Sequence, residues 1–137
     1  MAAYVKVAGS IESLEEEINA GADQWAFALA ASAPGSKTFV AGTTDLATGN
    51  GYTQGGTNVS TTTSAESAGT YKLVLSAPST WTASGAGFTF RYVLLVNKTN
   101  NIVVGYWDYG GNVAMSGATS DTFTFTPDGT NGVIQVA

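Results

Sequence analysis

The sequence predicts a mainly β fold: a single-domain antiparallel β-sandwich or barrel with one short N-terminal helix. Three observations lead there. From Thr57 onward the chain runs in short apolar–polar alternating stretches separated by Gly, Asn, Asp and Ser, a spacing typical of sandwiches and barrels. Within that region, Gly87–Gly110 holds two runs crowded with aromatic and β-branched residues, separated by the polar loop Lys98-Thr99-Asn100-Asn101. Such residues suit a pleated, half-buried surface, and a short polar loop between two such runs reads as a β-hairpin. Near the N terminus, Ser13-Leu14-Glu15-Glu16 forms a capping box, with Ser10 as an alternative cap.

Taken in order, residues 1–8 read as a short strand or an arm. A helix follows at about 11–20, with Ile11, Leu14 and Ile18 on one face. Glu12, Glu15 and Glu16 lie in its first turns, where the helix dipole favours negative charge, and Gly21 supplies the stop. Gln24–Ala31 alternates large (Trp25, Phe27, Leu29) with small (Ala26, Ala28, Ala30). That period of two predicts a strand with its large residues on one face. The Ala side then lies against something close or is exposed, and helix is the competing reading because Ala is a strong helix former.

Ser32–Gly56 is a long irregular stretch with turn signals at Ala33-Pro34-Gly35, Gly49-Asn50-Gly51 and Gly55-Gly56. A loop of this length is uncommon in a compact domain and usually has a function. Its apolar residues are few: Phe39, Val40, Leu46 and Tyr52. The expectation is an interaction loop or arm anchored by Tyr52, with Gly51, Phe39 and Leu46 as further interaction residues. The other reading, that Tyr52 folds back onto the protein's own sheet, stays open.

The remaining strands are expected at Asn58–Thr63, Thr70–Ser76, Thr80–Ala83, Phe88–Asn97, Asn101–Asp108, Asn112–Met115, Asp121–Thr126 and Val133–Val136. No internal repeat or domain boundary is visible, so residues 1–137 form one domain. A chain of this size buries roughly 68% of its unfolded surface, enough for a proper core.

Composition narrows the function. Only 11% of residues are charged, against about 25% in an ordinary domain. The net charge of −5 and five scattered basic residues argue against a nucleic-acid partner, because such binding relies on Lys and Arg neutralising phosphates. With no Cys there is neither a disulfide nor thiol chemistry. With no His, the usual general base near neutral pH and the commonest metal ligand are missing. No stretch approaches the ~18 apolar residues of a membrane span, so no membrane partner is expected. The glutamate-bearing N terminus lacks the apolar centre of a signal peptide, and synthesis in a cytoplasm without signal-directed export is expected.

Catalytic signals are thin, and no enzyme activity, catalytic residue, cofactor or metal is expected. Asp108 between Trp107 and Tyr109 resembles the carboxylate-beside-aromatic pattern of glycosidases. It reads better as the end of a strand turning into Gly110-Gly111. Thr126-Pro127-Asp128-Gly129 reads as a β-turn in preference to a calcium site with Asp121. Trp81, Trp107, Tyr106 and Tyr109 would suit a sugar-binding platform, but aromatics of a β-sandwich more often lie in its core.

Several segments, in order along the chain, resemble small virion structural proteins of tailed bacteriophages encoded among the head genes. They are Met1–Lys6, Gly49–Gly56, Gly69–Leu75, Phe90–Leu95, Gly105–Gly110, Phe123-Thr124-Phe125 and Thr130–Gln135. The resemblance implies a capsid decoration or cement role without chemistry. The partner would be the major capsid protein and the location the outer capsid surface of the virion. It also implies a homo-oligomer, a trimer in preference to a dimer, whose symmetric repetition lets weak contacts add. The alternative is a receptor- or carbohydrate-binding module of a head or tail fibre.

Overall fold

The computed structural model describes residues 3–76 and 78–137. Ten strands and one helix follow in the order β1 (Tyr4–Lys6), α1 (Ser10–Glu16), β2 (Trp25–Ala30), β3 (Thr57–Val59), β4 (Thr61–Ser67), β5 (Thr70–Leu75), β6 (Ser79–Thr82), β7 (Phe88–Asn97), β8 (Ile102–Met115), β9 (Thr122–Phe125) and β10 (Ile134–Val136). All pairings are antiparallel. One sheet has the order β1-β8-β7-β2-β3, a second β10-β5-β4, and a third is the pair β6-β9. The fold is the expected mainly β, sandwich-like domain with one short helix.

The core lies between the large sheet and the two smaller ones. Trp25, Phe27 and Leu29 of β2, Val93 and Leu95 of β7 and Trp107 of β8 meet Leu73, Leu75, Trp81, Phe125 and Ile134. Aromatic contacts knit this layer, with Phe27–Phe125 and Trp107–Phe125 centroids both 4.8 Å apart. The opposite face of the large sheet is covered too. Ala28 and Ala30, with Leu94, Val96 and Val103, pack beneath Val7 and Phe39. Burial on both faces explains why every residue of β2 is buried, and it answers the question raised by the Ala side: something lies close.

The hairpin β7–β8 is the centre of the large sheet, as expected. Its second strand, however, does not end at Asp108. β8 runs on through Gly110-Gly111 to Met115, joining two expected strands into one. The two glycines absorb a bulge, since Tyr92 pairs with Asp108 while Phe90 pairs with Val113. The Asp108 carboxylate grips Arg91 across the strands, with Nε and Nη2 donating at 2.8 and 3.0 Å. This ion pair holds Asp108 below the usual carboxylate range.

Other boundaries also move. Asn58–Thr63 is two strands, because the chain crosses at Ser60 from the large sheet to the second one. There Ser60 N donates to Ser76 Oγ and Ser76 N to Ser60 O. The helix covers Ser10–Glu16, begins after Gly9 in the left-handed region and has no side-chain cap. Both candidate capping serines are buried and used elsewhere: Ser10 Oγ donates to Val104 O, and Ser13 Oγ accepts from Lys37 Nζ. The helix stops before Gly21, in a turn where Ala22 N and Asp23 N donate to Asn19 O. The last turn also lies later than Thr126–Gly129, closing from Gly132 N to Asp128 O.

Candidate functional site

The predicted interaction residues all lie in Ser32–Gly56, and the structure makes that segment a brace. Phe39 and Tyr52 are 4% and 2% exposed. Lys37–Phe39 lies along β8, with Val103 N donating to Lys37 O at 2.7 Å and Phe39 N to Asn101 O at 2.8 Å. Farther on, Leu46 N donates to Leu29 O at 2.9 Å, and Leu46 packs partly buried against the main core. Gly51 is exposed on one side, but a Cβ there would come 2.1 Å from Thr82 O. Glycine is therefore required where this turn presses on β6.

At the centre of the brace is the buried Asp45, 5% exposed. Its carboxylate accepts from Tyr52 Oη at 2.6 Å, Gly55 N at 2.7 Å and Gly42 N at 2.7 Å. Tyr52 Oη in turn accepts from Leu29 N at 3.1 Å, which ties the segment to the end of β2. Burial, reinforced by the hydrogen bond to Asp45, pushes the Tyr52 phenol far above its ordinary ionisation range. A buried carboxylate with three donors is satisfied, and a satisfied buried network rigidifies its surroundings. The expectation of a partner-facing arm anchored by Tyr52 and Phe39 is thus corrected. The two side chains face inward, and of the expected alternatives the folded-back Tyr52 is the one observed.

The other chemical candidates are also absorbed by the fold. Trp81 and Trp107 are buried, and Tyr109 packs on Phe90 and Phe123, so no sugar platform is built from them. Asp121 accepts from Ser116 N and Thr119 Oγ1, and Asp128 from Thr130 N and Asn131 N. Each carboxylate stabilises its own turn. These hydrogen bonds hold both below the usual carboxylate range. Among the described residues no group of three or more His, Cys, Asp or Glu is arranged to hold a metal.

What remains open is a groove that sequence reasoning missed. It lies between α1 and β10, about 800 Å³ in volume, and is walled by Ile11, Leu14 and Ile18 on one side and Ile134 and Val136 on the other. Tyr71 and Ser64 form part of its lining. A smaller recess of about 220 Å³ adjoins it, between β1 and β10. Ile11 and Val136 are 44% and 53% exposed, two of the four exposed large apolar side chains among the described residues. The sequence carried a faint signal: Ile11 begins the apolar face of a helix too short to bury all of it. The groove's rear is firm, because Tyr4 stacks over Gly105 and beside Trp107 with centroids 5.0 Å apart. A Cβ on Gly105 would come 2.2 Å from the Tyr4 ring.

No protein-family model, curated protein or solved structure matches this chain. Its functional reading therefore rests on its own residues and on the resemblance described above.

Proposed function

We propose that this protein is a non-enzymatic structural component of a tailed-bacteriophage virion that binds and stabilises the outside of the capsid shell. The observation that carries this reading is the ordered resemblance from Met1–Lys6 to Thr130–Gln135. The architecture supports it. A decoration protein needs a stiff body, and here even the longest irregular segment is fixed through Asp45 and Tyr52. It also needs a contact surface that lies outside the core, and the α1–β10 groove is such a surface.

The partner is the major capsid protein, and repeated copies, arranged as trimers in preference to dimers, add weak contacts by avidity. The fibre-module alternative loses its main support, because the tryptophans that would stack on a sugar are in the core. The test is reconstitution. Shells stripped of the protein should regain resistance to heat when the pure protein is added back, and the gain should saturate. Failure to bind shells, with binding to host envelope instead, would move the protein to a fibre.

A further inference from the structure

We propose that Asn50-Gly51 is a site of spontaneous covalent modification, where deamidation through a succinimide yields isoaspartate and loosens the brace. It stands whether or not the decoration reading does.

Asn or Asp precedes Gly at three places in the chain: Asn50-Gly51, Asp128-Gly129 and Asn131-Gly132. At such pairs the glycine nitrogen can reach the preceding side-chain carbonyl carbon, because glycine has no Cβ to obstruct it. In an Asn-Gly pair, solvent hydroxide takes the Gly N–H proton, the nitrogen bonds to Asn Cγ, and the Cγ–Nδ2 bond breaks. Nδ2 leaves as ammonia with a proton from water. Water then opens the succinimide at either carbonyl. Opening at Cγ leaves aspartate on an ordinary backbone. Opening at the main-chain carbonyl leaves isoaspartate, whose backbone path runs through Cβ and is longer by a methylene.

The structure separates the three pairs. At Asn131-Gly132 the nucleophile is occupied: Gly132 N donates to Asp128 O at 3.1 Å, and Asn131 Nδ2 donates to Asp128 Oδ2 at 3.2 Å. At Asp128-Gly129 the electrophile is poor. The Asp128 carboxylate accepts from Thr130 N and Asn131 N, which favour its ionised form, and an ionised carboxylate offers no leaving group.

Asn50-Gly51 has neither obstacle. Both residues are exposed. They are the central pair of a tight turn closed by Gly49 N to Tyr52 O at 2.9 Å and Tyr52 N to Gly49 O at 3.0 Å. Both lie in the left-handed region, with φ of 55° and 99°, which is why such a turn selects Asn-Gly. Gly51 N itself donates to no acceptor among the described residues. Asn50 Oδ1 accepts from Ala86 N at 3.3 Å. A donor on the oxygen that gathers negative charge as Cγ is attacked stabilises that step.

The same turn has no slack for a longer backbone. A Cβ on Gly51 would come 2.1 Å from Thr82 O, and Asn50 O accepts from Ser84 N at 2.9 Å. The next residue, Tyr52, holds Asp45. Isoaspartate at position 50 therefore lifts the turn from β6 and pulls on Tyr52. Aspartate leaves the chain path unchanged and keeps an oxygen for Ala86 N.

The test is ageing of the intact folded protein in mildly alkaline buffer, followed by peptide mapping. Mass reads the exchange of NH2 for OH, and retention separates aspartate from isoaspartate. Asn50 should convert about tenfold or more faster than Asn131. In denaturant the two Asn-Gly pairs should convert at similar rates, because the fold makes the selection. The isoaspartate fraction should melt lower and exchange faster at the Leu46 and Gly55 amides, whereas Asn50→Asp protein should melt like the unaltered one. Folded protein in which Asn131 keeps pace with Asn50, or in which Asn50 stays intact while the denatured chain converts, would overturn the site. An isoaspartate fraction that melts like the unaltered protein, or no lower than Asn50→Asp, would overturn the loosening of the brace.

Discussion

The Ser32–Gly56 segment and the α1–β10 region are mirror cases. The first has no helix or strand of its own, yet it closes the apolar face of β2 with Phe39 and joins the main core with Leu46 and Tyr52. The second is built of regular elements, a helix and a strand, yet it leaves Ile11 and Val136 half in solvent. Secondary structure therefore says little about which region is structural and which is free to bind. What separates them is the destination of buried polar groups. In the brace, Asp45 collects two backbone amides and a phenol, and each bond fixes another part of the segment. At β10 one whole strand edge has no sheet partner among the described residues.

The largest effect should come from breaking the brace. Tyr52→Ala should cost about 3–5 kcal/mol, as for other large aromatic-to-Ala changes in cores, because it also leaves Asp45 and Leu29 N short of a partner. Chemical denaturation would read this directly. A melting temperature close to that of the unaltered protein would return Tyr52 to the role of a partner contact. Asp45→Ala should cost about 3 kcal/mol, since Gly42 N, Gly55 N and Tyr52 Oη lose their acceptor together. Asp45→Asn, which keeps an acceptor oxygen, should cost less.

Alkali should find the same weak point. The folded phenol of Tyr52 ionises far above its ordinary value, whereas the unfolded one ionises near 10. Its share of stability is therefore complete below about pH 10 and falls as pH rises beyond it, by about 1.4 kcal/mol per pH unit. Tyr4, raised by burial, acts in the same direction. Unfolding measured across this range should show a shallower fall for Tyr52→Phe than for the unaltered chain. An identical slope would mean that Tyr52 is already open to solvent. The smallest effect should be on the other side of the comparison. Ile11→Arg should change stability by no more than about 0.5 kcal/mol. A larger loss would make the groove part of the core.

Much of the fold was legible. The β7–β8 hairpin and the alternation of β2 and β9 follow from local residue choice, because period-two patterns survive wherever one face is more apolar than the other. The misread boundaries share a cause: a residue type with a strong local meaning had been recruited by a distant partner. Gly110-Gly111 looked like a turn but serves a bulge in a long strand. Ser10 and Ser13 looked like caps but bond to Val104 and Lys37, far away in sequence. The candidate site was legible only in part. Tyr52 stands out in the sequence as an anchor, but nothing local says whether an aromatic among glycines faces a partner or its own sheet. Asp45 carries no sequence signal, since a lone Asp in a loop looks solvated until the chain closes around it. The groove was invisible because it exists only where the two ends of the described chain meet.

Amide hydrogen exchange on the free protein tests the contrast most directly. The amides of Leu29, Phe39, Leu46 and Gly55, held by the brace, should exchange only through global unfolding, at the protection of the β7 amides. The outward-facing amides of β10 should exchange much faster. Brace amides that exchange by local opening, well ahead of β7, would contradict the account and restore Ser32–Gly56 as a free arm.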